Sequence, residues 1–455
     1  MIRVRDRTIG APGERGDRSM SAGLPVALVV VLALAGLSLG SPVALADDAR
    51  GTSAEVSVGG VGYLELNGRR YLGPLIITAE RDGVAVVERM SLDTYLEGIR
   101  EVPFSWDDDA LAAQVIAART YLAWNLIGGR TETGRRIGYD ICATAACQVY
   151  AGVDAILGPD GGRWRTAVAE TWGQILVSGG EPARAFYSST TGGRTRNIED
   201  IWPGSEPAPY LVGVSSTGEN SPFVEWSWEL PAFQMERLLW EAGVASGEIR
   251  SVESNTTEDG EGPWTIDITS DSGTVSLDTW ELRAKINAAA SIMPHLLPAS
   301  NDEGRVYPTT ILSPEYTIRH EMRRGHFLDF AYPDSYYVVE GRGWGHLIGM
   351  SQFGAQAMAE RGATYSEILA HYYGGLTPVS GAQFLPEQVS VGLVVGADRV
   401  TVDTGSFLTI TLDGEQVAVP DSGAWTFQWE DGRLVLTSPR SGPPRVAPGQ
   451  SPLEF

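Results

Sequence analysis

Positive charge is what this chain has least of: one lysine, Lys285, in 455 residues, and 34 Lys plus Arg against 57 Asp plus Glu, a net charge of −23. No basic field exists to neutralise phosphates, so nucleic acid is excluded as the expected partner. Cysteine is also scarce. Cys142 and Cys147 are the only two, so the fold cannot rest on a disulfide framework and its 43% hydrophobic residues must build the core. The common hydrolase signatures are missing as well: no G-x-S-x-G, no H-E-x-x-H, no phosphate loop ending in G-K-[ST] and no Cys nucleophile with a nearby His. After residue 40 no run is apolar for long enough to span a bilayer.

The first segment reads as an address. Arg3, Arg5, Arg7, Arg15 and Arg18 precede an uncharged run over residues 23–40, and Ala44-Leu45-Ala46 follows. A basic region, an apolar run and an A-x-A site in that order predict a secretory signal peptide over residues 1–46, cleaved after Ala46. The alternative is an uncleaved membrane anchor; in both cases the working part lies outside the cytoplasm, and no stable anchor remains once the signal is removed. In an oxidising compartment the pair in DICATAACQ reads as a local disulfide between Cys142 and Cys147. Zinc is the alternative, but it needs two more soft or imidazole ligands, and the nearest histidine in sequence is His295. No metal and no cofactor are expected.

Along the chain, residues 55–90 alternate and turn like short strands around Asn67-Gly68. A helical block follows: Ser91 or Asp93 caps LDTYLEGIRE, which Pro103 stops, and Ser105-Trp106-Asp107-Asp108 has capping-box form before a long helix ending at Gly128-Gly129. Leu111, Val115, Ala118, Leu122 and Leu126 recur at helical spacing, which predicts burial of one face. Arg119 sits on that stripe and must be paired, either in a structural ion pair or toward a substrate. Thr364-Tyr365-Ser366-Glu367 is a second capping box. Residues 388–455 turn strand-like and predict a separate small β domain. The expected fold class is α+β, with helices mixed with antiparallel strands.

Three clusters carry polar chemistry. Glu101 stands in YLEGIREVPFSW at an expected helix end beside Phe104 and Trp106, a setting that disfavours a charged carboxyl and suits a general acid. FYSSTTGGRT presents Tyr187, Ser188, Ser189, Thr190 and Thr191 before Gly192 and Gly193. GRGWGHLIGMSQFGA adds Trp344, His346, Ser351 and Gln352. Hydroxyl, amide and aromatic groups on glycine-rich loops suit a neutral sugar polymer, although each cluster alone also fits turn and cap chemistry.

The strings YLEGIREVPFSWDDDALAAQVIAARTYLAW, FYSSTTGGRT and GRGWGHLIGMSQFGAQAMA resemble the three motif blocks of the SpoIID/LytB family of bacterial cell-wall proteins, in family order and over residues from about 60 to 380. The expected domains are 1–46 (signal), 47–387 (SpoIID/LytB-like by this resemblance, acting on peptidoglycan) and 388–455 (small β domain). It implies a lytic transglycosylase that cuts MurNAc-GlcNAc bonds of glycan strands stripped of stem peptides, or, as in the amidase-enhancer branch, a non-catalytic activator of a wall amidase. Glu101 takes the place of the family's catalytic acid/base. Tyr187, Ser188, Ser189, Thr191, Gly192, Gly193, Arg119, His346, Ser351 and Gln352 are the expected substrate contacts. The expected partners are peptidoglycan glycan strands and a cell-wall amidase, and the expected location is the wall, outside the cytoplasm. Three positions depart from the pattern: Val102 stands for Met, Leu347 for Gly and Asp109 for Glu. Zinc-binding members use two Cys and two His around the segment matching residues 134–147; only Cys142 and Cys147 remain here, so zinc is not carried over.

Overall fold

The computed structural model describes residues 53–58, 62–81, 83–256, 264–293, 310–323, 334–403, 408–412, 415–417, 423–431, 433–437 and 445–446. The expected signal peptide, residues 1–46, lies outside them. Among the described residues no helix is long and apolar enough to cross a membrane. Helices and mainly antiparallel sheets alternate along the chain, the expected α+β class, and the chain divides into two compact units.

The first unit takes Met1–Glu101, Gly128–Gly158 and Pro386–Phe455. Its seven-stranded sheet runs in the order Glu415–Val417, Leu408–Leu412, Ser53–Val58, Leu75–Glu80, Gly83–Ser91, Gln388–Ala397 and Ile141–Cys142. All neighbours are antiparallel except the last pair, where Val391 and Gly392 run parallel to Ile141 and Cys142. A second, six-stranded sheet joins Arg445–Val446, Arg433–Thr437, Trp425–Glu430, Arg399–Asp403, Leu64–Leu66 and Arg69–Tyr71. The hairpin between its last two strands turns at Asn67 and Gly68, with φ of 54° and 77°. Two successive positive φ values are the two-residue turn that Asn-Gly favours. Val84, Ala85, Val86 and Val87 in the middle of Gly83–Ser91 are all buried, so this strand is covered on both faces, as its unbroken apolar run requires.

The C-terminal strands do not form a domain of their own, as residues 388–455 were expected to. Gln388–Ala397 pairs with Gly83–Ser91, and Arg399–Asp403 with Leu64–Leu66. Short alternating strands leave open edges that must be paired, and here the two ends of the chain complete each other's sheets.

The second unit takes Val102–Ile127 and Pro159–Leu385. Asp107, rather than Ser105, caps the helix Asp108–Gly128: its Oδ1 accepts the Asp109 N–H at 3.1 Å. Of the predicted stripe, Leu111, Val115, Ala118 and Leu122 are buried and Leu126 is half-buried, but Ala110, Ala112, Ala113, Ile116, Ala117, Thr120 and Ala123 are buried too. Small alanine side chains let neighbours close in all round, so this is a central helix rather than a one-faced one. One core cluster gathers Ile116, Ala117, Phe186, Met350, Ile368, Tyr372 and Tyr373. Another gathers Trp226, Trp228, Leu230, Met235, Ile266, Ile286 and Val339 from two three-stranded sheets and the helices Ala232–Glu241 and Thr279–Ile292.

Candidate functional site

Glu101 belongs to the first unit. Ser91 caps the preceding helix, Leu92–Glu97, by accepting the Thr94 N–H at 3.2 Å. The helix stops at Gly98, well short of Pro103, because the chain there turns into an antiparallel bridge between Ile99 and Tyr150. A Cβ on Gly98 would run into the Tyr150 ring, so glycine is what lets the two segments meet. Glu101 therefore lies beyond the last helical turn, and the dipole argument made from sequence does not apply to it. Its carboxylate is fixed differently. Glu101 is half-buried, and its Oε1 accepts the Val149 N–H at 2.6 Å. The neighbouring Arg100 N–H donates to the Val149 carbonyl at 2.9 Å, and the Ala151 N–H to the Gly98 carbonyl at 2.8 Å.

The strap that holds Glu101 begins at the cysteine pair. Cys142 and Cys147 are joined in a disulfide with Cα atoms 5.5 Å apart. Both sulfurs are thus engaged, and among the described residues no cluster of His, Cys, Asp and Glu could hold a metal ion.

In the second unit, FYSSTTGGRT and GRGWGHLIGMSQ are brought together. Tyr187 and Ser188 pair in parallel with Met350 and Ser351, and Thr190 bridges to Trp344. Their hydroxyls converge on a residue the sequence reading missed. Glu219 Oε2 accepts from Thr190 Oγ1 at 2.5 Å and the Gly192 N–H at 2.9 Å. Its Oε1 accepts from Thr191 Oγ1 at 2.7 Å, Ser216 Oγ at 2.7 Å and Ser351 Oγ at 2.5 Å. Burial alone would raise this carboxyl's pKa, but the hydroxyl donors, Ser351 and Thr190 foremost, outweigh it and hold the group below its ordinary value. No local pattern marks Glu219; the signal was the opposite one, several hydroxyls on adjoining turns with no acceptor in sight.

This geometry corrects several expected substrate contacts. Thr191 and Ser351 are 1% and 0% exposed, with hydroxyls on Glu219; Ser351 also caps Gln352–Ala359 through the Gly354 N–H. Gln352 is buried, with its Nε2 3.4 Å from Gln114 Oε1. Arg119 is 1% exposed and donates to the carbonyls of Thr171 (2.7 Å), Gln174 (3.1 Å) and Val168 (3.2 Å). Those carbonyls cluster at the end of the helix Gly161–Glu170, where a guanidinium satisfies groups the helix leaves unbonded. Arg119 is a structural clamp.

His346 is likewise engaged. Its Nδ1 accepts the Ile348 N–H at 3.0 Å, its ring meets Phe186 and Trp202 edge-on or tilted at 5.8 and 5.3 Å, and a further hydrogen bond ties it to the Tyr187 backbone. Removal from water, helped by the nearby Arg283 guanidinium, pushes its pKa down to about 3. A neutral imidazole bonded to two backbone groups ties the loop to the strand that carries Tyr187. Ser189 and Tyr187 are half-buried, and the Ser189 carbonyl accepts the Phe353 N–H at 3.0 Å. Gly192 and Gly193 take φ of 70° and 104°. Ser188 is 6% exposed, and among the described residues its Oγ has no hydrogen-bond partner.

Comparison with known proteins decides the relationship. Residues 80–177, the stretch that holds Glu101, the long helix and the disulfide, match the model of the stage II sporulation protein family. Residues 80–177 resemble a SpoIID domain. Similarity to whole proteins runs further. The chain is 30% identical over 312 residues to the amidase enhancer of Bacillus subtilis, covering 63% of this chain and 40% of that protein. It is 27% identical over 319 residues to stage II sporulation protein D of Bacillus subtilis, covering 68% of this chain and 80% of that one. An uncharacterised protein of Brachyspira hyodysenteriae is 26% identical over 316 residues, covering 68% and 73% of the two chains.

Proposed function

We propose that this SpoIID-like chain acts on the bacterial cell wall, outside the cytoplasm, as a lytic transglycosylase on peptidoglycan glycan strands, with Glu101 as its acid/base. The observation that carries the reading is the Glu101 carboxylate, half-buried and fixed through Oε1 by the Val149 amide. A carboxyl with a backbone amide fixing one of its oxygens is pre-oriented for proton transfer. In the proposed reaction Glu101 donates its proton to the oxygen linking MurNAc to GlcNAc as that bond breaks. The same carboxylate then takes the proton from the 6-hydroxyl of the MurNAc, whose oxygen closes on the anomeric carbon. The nucleophile belongs to the substrate, so no second carboxylate is needed. The leader read over residues 1–46 supports an extracytoplasmic location.

Of the loop residues, Tyr187, Ser188, Ser189 and Gly193 remain candidates for contacting glycan, since the hydroxyls of Thr191 and Ser351 are committed to Glu219.

A second reading has its own support. One relative bears the name amidase enhancer, and the hydroxyl-rich loops build an internal network rather than an array of free donors. On this reading the chain grips glycan and stimulates a wall amidase without cutting. One experiment separates the two: wild type and Glu101→Gln are incubated with glycan strands free of stem peptides, and the products are read by mass spectrometry. Release of 1,6-anhydroMurNAc ends by wild type alone supports the enzyme. Co-sedimentation with intact strands and no anhydro ends moves the function to amidase activation.

A further inference from the structure

The buried carboxyl of Glu88 stands outside the proposed chemistry, yet it is joined to it by one residue. Glu88 is fully buried in the strand Gly83–Ser91. Its Oε1 accepts the Leu72 and Gly73 N–H groups at 3.1 and 2.9 Å, and its Oε2 accepts the Tyr150 hydroxyl at 2.8 Å. Burial pushes its pKa up to about 7, against the pull of those three donors. A carboxyl taken out of water is costly to fold around unless it fixes something.

What it fixes is the ring of Tyr150. That ring lies between Tyr95 and Tyr71, with centroids 5.6 and 6.3 Å away, and over Gly98, where a Cβ would collide with it. Tyr150 is the residue directly after Val149, whose N–H holds Glu101. The residue before Val149 is pinned too: Gln148 is fully buried, and its Oε1 accepts the Tyr95 hydroxyl at 2.6 Å. The Tyr150 N–H donates to the Ala143 carbonyl at 3.2 Å, inside the disulfide loop. Side chains on both sides of Val149 therefore point into the core and are hydrogen-bonded there. Between two anchored neighbours the amide of Val149 has little freedom to turn away from Glu101.

We propose that Glu88, acting through the Tyr150 hydroxyl, is a positioning residue for Glu101: it seats the strap Gln148–Tyr150 so that the Val149 amide meets the Glu101 carboxylate. The inference rests on the reading of Glu101 as the acid/base, and it deepens that reading. Removing the hydroxyl leaves the ring in place but lets the strap shift, and displacement of a reacting group by a fraction of an ångström to about 1 Å costs roughly 10- to 100-fold in turnover.

The test compares full-length wild type, Glu101→Gln, Tyr150→Phe and Glu88→Gln for two quantities: hydrogen exchange of the Val149 amide, and kcat and KM for release of anhydro ends. Melting temperature checks that each variant folds. Tyr150→Phe is expected to speed Val149 exchange, as Glu101→Gln does, and to lower kcat roughly 10- to 100-fold with KM little changed. Glu88→Gln keeps an acceptor for the Leu72 and Gly73 amides and a polar group facing the Tyr150 oxygen, so it is expected to retain most of both. A merely structural role would lower melting temperature and leave kcat per folded molecule unchanged. That result overturns the proposal, as does wild-type Val149 exchange in Tyr150→Phe. If wild type releases no anhydro ends, the assignment of Glu101 as acid/base falls, while the exchange comparison still decides whether Tyr150 seats the amide against the carboxylate.

Discussion

Glu219 and Thr191 meet through both a hydroxyl and an amide. Thr191 Oγ1 donates at 2.7 Å to Oε1, and the Thr191 N–H lies 3.1 Å from each carboxylate oxygen. With Thr190, Gly192, Ser216 and Ser351 bound to the same carboxylate, this one side chain ties the two glycine-rich loops into a single body. Hydrogen bonds to a charged group contribute about 1.5–3 kcal/mol each and do not add. Glu219→Gln offers an amide NH2 to groups that are themselves donors, so it is expected to cost roughly 2–4 kcal/mol of unfolding free energy at pH 7, measured in urea. Because the folded pKa lies below the ordinary carboxylate value, the wild type's advantage is present above the unfolded pKa. It shrinks as pH falls through the folded one. An advantage independent of pH would sink this account.

Glu88 has the opposite sign. Its folded pKa is raised from 4.5 to about 7, so the folded state holds the proton more tightly than the unfolded chain. The contribution is full below about pH 4.5 and is lost as pH rises to about 7, a loss of ~3 kcal/mol at most. Denaturant melts of wild type and Glu88→Gln at pH 5 and pH 7.5 are expected to show wild type losing ground to the variant at the higher pH. Parallel curves would mean that Glu88 titrates as an ordinary exposed carboxyl.

How far these features could be read in advance depends on how local their causes are. The cap formed by Thr364 and Glu367 was legible because both partners sit within one helical turn, and both of its hydrogen bonds are present. The Asn67-Gly68 hairpin was legible for the same reason. The motif strings led to Glu101, but its geometry rests on Val149, 48 residues away, and no spacing rule connects them. Ser351 reaches Glu219 across 132 residues, so its hydroxyl looked free in sequence and is committed in the fold. The separate C-terminal domain was misjudged because strand-like patterning says that a segment pairs, not with what. For Arg119 the stripe forced a partner, as burial of a guanidinium requires, but it could not say that the partners are backbone carbonyls.

His346 gives a spectroscopic prediction. With Nδ1 accepting the Ile348 N–H, the proton sits on Nε2, an assignment made from that bond. With its pKa pushed down to about 3 from 6.5, the imidazole is expected to show no titration by NMR between pH 8 and pH 5 and to keep the Nε2–H tautomer throughout. The unfolded chain binds this proton first, so the contribution to stability is whole above about pH 6.5 and declines as pH falls toward about 3. An ordinary midpoint near pH 6.5 would show that the loop leaves the ring in water and free for proton transfer.

Leu347 tests the backbone itself. It stands in the left-handed region with φ of 66° and is fully buried, so it combines a conformation that suits glycine with packing that glycine cannot supply. Replacing a buried leucine by a small residue costs about 2–5 kcal/mol. A left-handed backbone adds roughly 1–2 kcal/mol for any residue that carries a Cβ. At an ordinary site glycine is worse than alanine by about 0.5–1 kcal/mol, because it is freer when unfolded. Here the order should reverse: Leu347→Ala loses the packing and keeps the strain, whereas Leu347→Gly loses the packing and relieves it. Urea melts are expected to place both variants below wild type, with Leu347→Ala the less stable by a few tenths to about 1 kcal/mol. The usual order, alanine above glycine, would mean that the turn after His346 does not adopt a left-handed backbone and that leucine sits there at no local cost.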